Sequence, residues 1–395
     1  MPSEVAPVFD NFKITFDNVR DIFPHTKDVT YFNSAAVGPF SNLVYKAVEE
    51  HLQMRVDSLK DDSHVAFGTA DELRHIYAGL VGAEHRHIGL GSNTSFGLNL
   101  AAYGLPMQLG DEILVSDCEF PAAVYTAKAA ASARGLTVRF VKSIDRRFDL
   151  DEFEKAIGPK SRMLIISFVQ FFNGYKNDMA AIGRICKAHG IYFVIDGIQG
   201  MGHEPIDLPR TGADIFTTGC QKWMLSPQGC GFFYVSDEAR EKIVAPFMSW
   251  VGADWKMQYT DMFHYDKPYF ESARKFELGY YAVLNFMGML AGVKPFTDLG
   301  IEAIQQHNHA LVDRLVKYID SNPYYRVTST LDPRHRTSLF TFSCDDLEKL
   351  HKELLAHKII LVRREGSIRV SVHLYHNESD IDRLIEVMDK FSRGL

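Results

Sequence analysis

Six short apolar runs, rich in β-branched and aromatic residues, recur through the middle of the chain: EILVSD (112–117), TVRFVK (137–142), RMLIISFV (162–169), YFVID (192–196), DIFTTG (214–219) and GFFYVS (231–236). Their apolar positions are nearly continuous rather than alternating, which predicts strands buried on both faces, as in a parallel sheet. Between them lie helical patterns, AAVYTAKAAASARG (122–135), LDEFEKAIG (150–158) and MAAIGRICKAHG (179–190), each ending on the glycine that a left-handed C-cap favours. Strand, helix and strand in alternation predict an α/β domain with right-handed crossovers, over residues 40–290. Beyond it come a long helical pattern (301–323), the runs RVTST and LFTFS, a helix LEKLHKELLAHK (347–358), the strands IILVRR and IRVSVHLY, and a last helix (378–392). These predict a smaller α+β domain over 291–395, with residues 1–39 packing against it.

Composition narrows the class. With 395 residues, 46% hydrophobic and 24% charged, the chain reads as an ordinary globular protein, and at about 100–200 residues per domain two or three domains are expected. No apolar stretch approaches the roughly 18 residues of a membrane span, and the first residues lack a signal-peptide pattern. Five scattered cysteines (118, 186, 220, 230, 344), without a CxxC pair, point to a reducing cytoplasm and no zinc site. A net charge of −7 with interspersed signs argues against nucleic acid and for a small-molecule partner.

Two constellations carry chemistry. Asp196 ends one predicted strand and Lys222 follows the next, and ligands of open α/β sheets bind beyond the carboxyl ends of strands. A carboxylate and an amine converging there suit pyridoxal phosphate: the amine condenses with its aldehyde, and the carboxylate keeps the pyridine nitrogen protonated. Gln199 is within reach of the ring hydroxyl on this reading. Taken singly, Asp196 reads equally as a helix N-cap and Lys222 as a surface amine. In GSNTSFGLNLAAYG (91–104), hydroxyls of Thr94 and Ser95 open a helix, a ready anion site or simply a cap. No GxGxxG or GxxxxGK[ST] motif supports a dinucleotide or nucleoside triphosphate.

In order along nearly the whole chain, YFNSAAVGP (31–39), NTSFGLNLAA (93–102), EFPAA (119–123), SFVQFFNG (167–174), VIDGIQGMG (194–202), CQKWMLSPQGCGFFYV (220–235), ARKFELG (273–279) and IRVSVHLYHNESDIDRL (368–384) resemble the class V aminotransferases. That group of pyridoxal-phosphate enzymes includes cysteine desulfurases, selenocysteine lyases, kynureninases and isopenicillin-N-epimerase-like proteins. The resemblance implies fold type I, with a mostly parallel seven-stranded sheet, and a homodimer whose active site lies between protomers. It makes Lys222 the cofactor-bearing lysine and proton shuttle, sets Asp196 at the pyridinium and Gln199 at the ring oxygen, and gives the phosphate to Thr94 and Ser95. Phe120 would stack on the ring, while Thr218 and Gln221 would add phosphate or ring contacts. Arg369 would fork onto the substrate α-carboxylate, with Asn33 to Ala36, Ala35 included, forming a loop that orients it. Tyr280, where relatives carry a threonine, would reach the partner's phosphate or serve as an interface residue.

The departures limit the reaction. Desulfurases place a histidine where this chain has Phe120, which cannot move a proton, and carry a nucleophilic cysteine on a long loop where only REGSI separates Arg363 from Arg369. Persulfide chemistry is therefore disfavoured. Transamination of an amino acid is the first expectation, a lyase or epimerase the second, and a silent cofactor-binding protein the third. The aromatic cluster at 247–270 lines either a substrate pocket or an interface, and the sequence does not choose the substrate.

Overall fold

The computed structural model describes residues 12–58, 63–256 and 262–394. In chain order these form β1 (Thr30–Tyr31), α1 (Asn42–Ser58), α2 (Ser63–Leu80), β2 (Ile88–Gly91), α3 (Thr94–Gly104), β3 (Glu112–Ser116), α4 (Pro121–Arg134), β4 (Thr137–Val141), α5 (Leu150–Ala156), β5 (Ser161–Ser167), α6 (Met179–His189), β6 (Tyr192–Asp196), α7 (Leu208–Thr211), β7 (Ile215–Gly219), β8 (Gly231–Val235) and α8 (Asp237–Lys242). After them come α9 (Val283–Leu299), α10 (Ile301–Ser321), β9 (Arg326–Val327), β10 (Leu339–Ser343), α11 (Leu347–Ala356), β11 (Ile359–Ile360), β12 (Val362–Arg364), β13 (Ser367–Ser371) and α12 (Glu378–Ser392).

Seven strands form the central sheet in the order β2-β8-β7-β6-β5-β3-β4. The five from β7 to β4 run parallel, and β8 and β2 add an antiparallel edge. The six apolar runs are six of these strands, and the reason for their continuity is visible in the two cores. Leu114, Leu164, Ile166, Phe193, Ile195 and Phe216 face one side, under α2, α6 and α9. Ile113, Val115, Met163, Ile165, Val194 and Ile215 face the other, under α3 and α4. In β3, β5, β6, β7 and β8 both faces are covered and nearly every position is buried, whereas the edge strand β4 departs from the expectation and leaves Thr137, Arg139 and Phe140 exposed. The buried stripe of α4 is Ala123, Ala127, Ala130 and Ala131 with Thr126, small side chains that let the helix lie close on the sheet. Helices α4 and α6 end at left-handed Gly135 and Gly190 as the sequence predicts. α5 does not: it stops at Ala156 with an extended cap at Ile157, short of Gly158.

The smaller sheet, β12-β13-β10-β9, is antiparallel and one-sided. Phe340, Phe342, Ile368 and Val370 pack with Leu350, Leu354, Ile381 and Leu384 of α11 and α12. The expected single strand IILVRR breaks at Leu361: β11 pairs parallel with β1, and β12 pairs with β13.

The expected domain boundaries shift. Residue 290 lies inside α9, which joins the large-domain core through Phe286, Met289, Val293 and Phe296. The division falls within α10, whose Ile304 belongs to the large core and whose Leu311, Leu315 and Ile319 belong to the small one. The N-terminal segment also serves both. Ile14, Val19, Ile22 and Phe23 enter the large-domain core, whereas β1 and Phe32 join the small domain. Its first 11 residues, and 257–261 of the aromatic cluster, lie outside the described residues. Of the rest of that cluster, Phe263 and Tyr265 are exposed. No described helix is long and apolar enough to cross a membrane.

Candidate active site

Polar residues of three neighbouring strands lie at the same level, Ser167 and Asp196 at the ends of β5 and β6 and Thr217 near the end of β7: Ser167 pairs with Asp196, and Asp196 with Thr217. This is the crevice at the carboxyl ends of a parallel sheet. Asp196 is buried and its Oδ1 accepts the Ile198 amide at 3.0 Å. Beside it, buried Glu119 accepts hydrogen bonds from the Ser167 amide (3.0 Å), the Ser167 hydroxyl (2.5 Å) and the Gln170 amide (2.9 Å). Burial pushes the Asp196 carboxyl up, the Glu119 charge adds to the shift, and Lys222 opposes it.

Lys222 sits in the turn between β7 and β8, which is closed by Cys220 N donating to Cys230 O at 3.0 Å. The turn is strained at Leu225, a non-glycine residue with φ 52°. It is crossed closely by the N-terminal loop: a Cβ on Gly38 would lie 2.2 Å from Lys222 O. Burial pushes the Lys222 amine down, with Asp196 opposing and the cations Arg369 and Arg364 adding to the shift. Among the described residues the amine makes no ion pair or hydrogen bond. The Phe120 ring lies beside it, with Nζ 5.4 Å from the centroid. Phe120 in turn packs edge-on against Phe171 at 5.2 Å.

The α3 N-terminus meets this turn. Asn93 caps the helix by accepting the Phe96 amide at 3.0 Å. Thr94 is buried with its hydroxyl accepting the Gly219 amide at 2.9 Å, and Ser95 lies half-buried one residue on. Gln221 folds its side chain over Gly219 and leaves Oε1 buried without a partner. Thr218 departs from the expected phosphate role: it is 1% exposed and its hydroxyl donates to Gly219 O, so no proton remains for an anion. Tyr280 lies half-exposed beside Trp250 and, with Ser92 and Phe96, lines a separate cavity of about 230 Å³.

Two other expected residues are held by hydrogen bonds within the protein. Gln199 is a strut: its Oε1 accepts Trp223 Nε1 at 2.9 Å and its Nε2 donates to Ala35 O at 3.0 Å. The Ala35 amide donates to Ser371 Oγ at 3.2 Å, so its one backbone donor is used within the protein. Asn33, in the same loop, keeps a buried Oδ1 with no partner.

Arg369 is 2% exposed and donates one hydrogen bond, from Nη1 to Phe171 O at 2.7 Å. Its Nε and Nη2, the edge that grips a carboxylate, are buried without partners. Burial pushes its guanidinium down to about 10, and Arg364 adds to the shift.

Several contributors were not assigned from sequence. Glu119 lies three residues beyond the end of β3, close to the strand-end position that marked Asp196, and could have been found that way. Trp223, His373 and His376 could not. His373 Nε2 donates to Trp223 O at 2.9 Å and His376 Nε2 to Tyr31 O at 3.0 Å, so the segment after β13 grips both the lysine turn and the N-terminal loop.

Comparison with known proteins gives three levels of likeness. The family model described as Aminotransferase class-V matches residues 30–384. A probable cysteine desulfurase of Pyrococcus abyssi is 24% identical, over 96% of this chain and 98% of its own. An uncharacterized aminotransferase, YcbU of Bacillus subtilis, is 22% identical over 94% and 96%. The apo structure of a cysteine desulfurase from Thermococcus onnurineus superposes with a TM-score of 0.84 at 23% identity, over 96% of this chain and 98% of that one.

Proposed function

Because the chain belongs to the class V aminotransferase family, we propose that it binds pyridoxal 5′-phosphate through Lys222 and transaminates an amino acid at Cα. The observation that carries this reading is Arg369, whose empty Nε and Nη2 edge is built to take a carboxylate. The cofactor fits the remaining residues. A buried, unpaired amine and a buried carboxylate act on one another across the strand ends. The capped α3 N-terminus, Ser95 and the unpartnered Gln221 side chain lie where an anionic group would be held, and Phe120 would cover the ring.

When bound, the cofactor draws electrons from the bonds at the substrate's Cα. The protein does the rest. Arg369 fixes the α-carboxylate and so orients the Cα–H bond. Lys222, with its amine pushed below the ordinary range, is the group that would take that proton and hand it on to the cofactor held there. Asp196 holds its charge against the ring nitrogen. Phe120 has no proton to give, so the transfer falls to Lys222.

The names of the relatives favour a second reading, a carbon–sulfur lyase. Persulfide formation on this chain's own cysteine is not supported, because the nucleophile is a thiolate and burial pushes all five thiols up. A homodimer is part of the same proposal. Phe40, Tyr45, Leu52 and Val56 leave an apolar surface on and before α1, around a cavity of about 530 Å³, and a solution mass near twice 44.8 kDa is expected.

Borohydride reduction followed by digestion is expected to leave the cofactor on the Lys222 peptide, and Lys222→Ala to abolish turnover. With amino donors, conversion of the bound cofactor to its amine form supports transamination. Pyruvate and ammonia released without that conversion would replace it by the lyase reading.

A further inference from the structure

The small sheet turns a polar face to the cleft. Phe340, Phe342, Ile368 and Val370 enter the small-domain core. The alternate residues look the other way: Arg369 reaches Phe171 O, and Ser371 receives the Ala35 amide. In the β12–β13 pair, Val362 lies opposite Arg369 and Arg364 opposite Ser367. Cross-strand partners share a face and side chains alternate with period two, so Arg364 stands on the cleft face, diagonal to Arg369.

Its neighbour Arg363 has the opposite aspect and lies 3.7 Å from the Glu348 carboxylate of α11. The Arg364 guanidinium has no ion pair or hydrogen bond among the described residues, and its charge is felt at both Lys222 and Arg369. The adjacent carboxylate that could neutralise it is taken: Glu365 accepts Arg146 Nη2 at 3.0 Å, and Arg146 also donates to Glu365 O at 3.1 Å. Arg146 is itself seated 4.6 Å over the Phe172 ring, which anchors the hairpin tip to the large domain.

We propose that Arg364 receives a second anionic group of the substrate, so that the amino donor or the 2-oxo acid acceptor is dicarboxylic. This rests on the reading that Arg369 takes the α-carboxylate. Once a monocarboxylate has neutralised Arg369, Arg364 still repels its cationic neighbours. A dicarboxylate of the right length satisfies both guanidiniums.

The test uses holoenzyme and unreactive ligands, with succinate and glutarate titrated against propionate by calorimetry. The better dicarboxylate is expected to bind at least about tenfold tighter, the worth of one charge-assisted hydrogen-bonded contact. Arg364→Met should reduce that ratio to about twofold while leaving propionate unchanged, and Arg364→Lys should keep part of it. In parallel, glutamate or aspartate should convert the bound cofactor faster than alanine, and the preference should vanish in Arg364→Met. Equal binding of mono- and dicarboxylates, or an equal loss of both in Arg364→Met, overturns the proposal. If alanine or leucine converts the cofactor and the acidic donors do not, only this inference fails. If no carboxylate binds and no amino acid changes the cofactor spectrum, the functional reading beneath it fails as well.

Discussion

Arg74 and Arg369 are both 2% exposed, yet one is finished and the other is not. Arg74 places Nε and Nη2 on the two Glu277 oxygens at 2.8 and 2.6 Å, and Nη2 also reaches Tyr281 OH at 2.8 Å. Glu277 closes the cluster by accepting the Leu90 amide and the Tyr281 hydroxyl. Arg369 has the same edge and nothing on it. The electrostatics follow: Glu277 outweighs burial and holds the Arg74 guanidinium above its ordinary range, while burial without a counter-ion pushes Arg369 down. A buried charge whose partner is absent from the fold is a charge waiting for a ligand.

The largest expected effect separates function from stability at Arg369. Arg369→Met should lower kcat/KM by about 10²–10⁴, since losing one partner of a buried charge pair costs roughly 3–5 kcal/mol. The same variant should melt no lower than the parent, because removing a buried charge with no counter-ion offsets the loss of its single hydrogen bond to Phe171 O. Intact activity, or a melting temperature that falls along with it, would put Arg369 in the same class as Arg74.

At Arg74 the two readouts trade places. Arg74→Met leaves the Glu277 carboxylate buried and unpaired, and should destabilise the fold by about 3–5 kcal/mol in urea titrations. Adding Glu277→Leu should recover only part of this, because the Leu90 amide then has no acceptor. A single variant as stable as the parent removes the contrast between the two arginines.

This contrast also marks what the sequence can say. The apolar runs predict six strands to within one or two residues, in five of them because burial on both faces imposes a pattern on nearly every position; the edge strand β4 is exposed along most of its length. Asp196 and Lys222 are legible for a related reason: one ends a strand and the other follows one, and strand ends in a parallel sheet share one crevice. The edge strand β2 is short, with glycine at Gly89 and Gly91, and leaves no such pattern. Arg369 could be placed only by resemblance, for Ser367–Ser371 alone does not say which face meets the cleft. The hydrogen bonds of Gln199 and Ala35 reach segments far away in the chain, the Gln199–Ala35 bond spanning 164 residues and the Ala35–Ser371 bond 336, and no local period encodes them.

The smallest expected effect concerns a third kind of buried polar group, one kept neutral. His376 accepts the His373 amide at Nδ1 and donates to Tyr31 O from Nε2, so both nitrogens are satisfied without charge. Burial lowers its pKa from 6.5 to about 4, with Arg20 and His25 adding to the shift and Asp380 opposing it. Between those two values the unfolded chain binds the proton and the folded one does not. Stability from this residue is therefore present above pH 6.5 and is lost as pH falls toward 4, by at most about 1.4 kcal/mol per pH unit. His376→Asn keeps an acceptor for the His373 amide but does not titrate, so urea midpoints measured across that window should fall less steeply than in the parent. Parallel slopes in the two proteins would mean that His376 takes up its proton without disturbing the fold, and that neutrality there is not part of what holds the lysine turn and the N-terminal loop together.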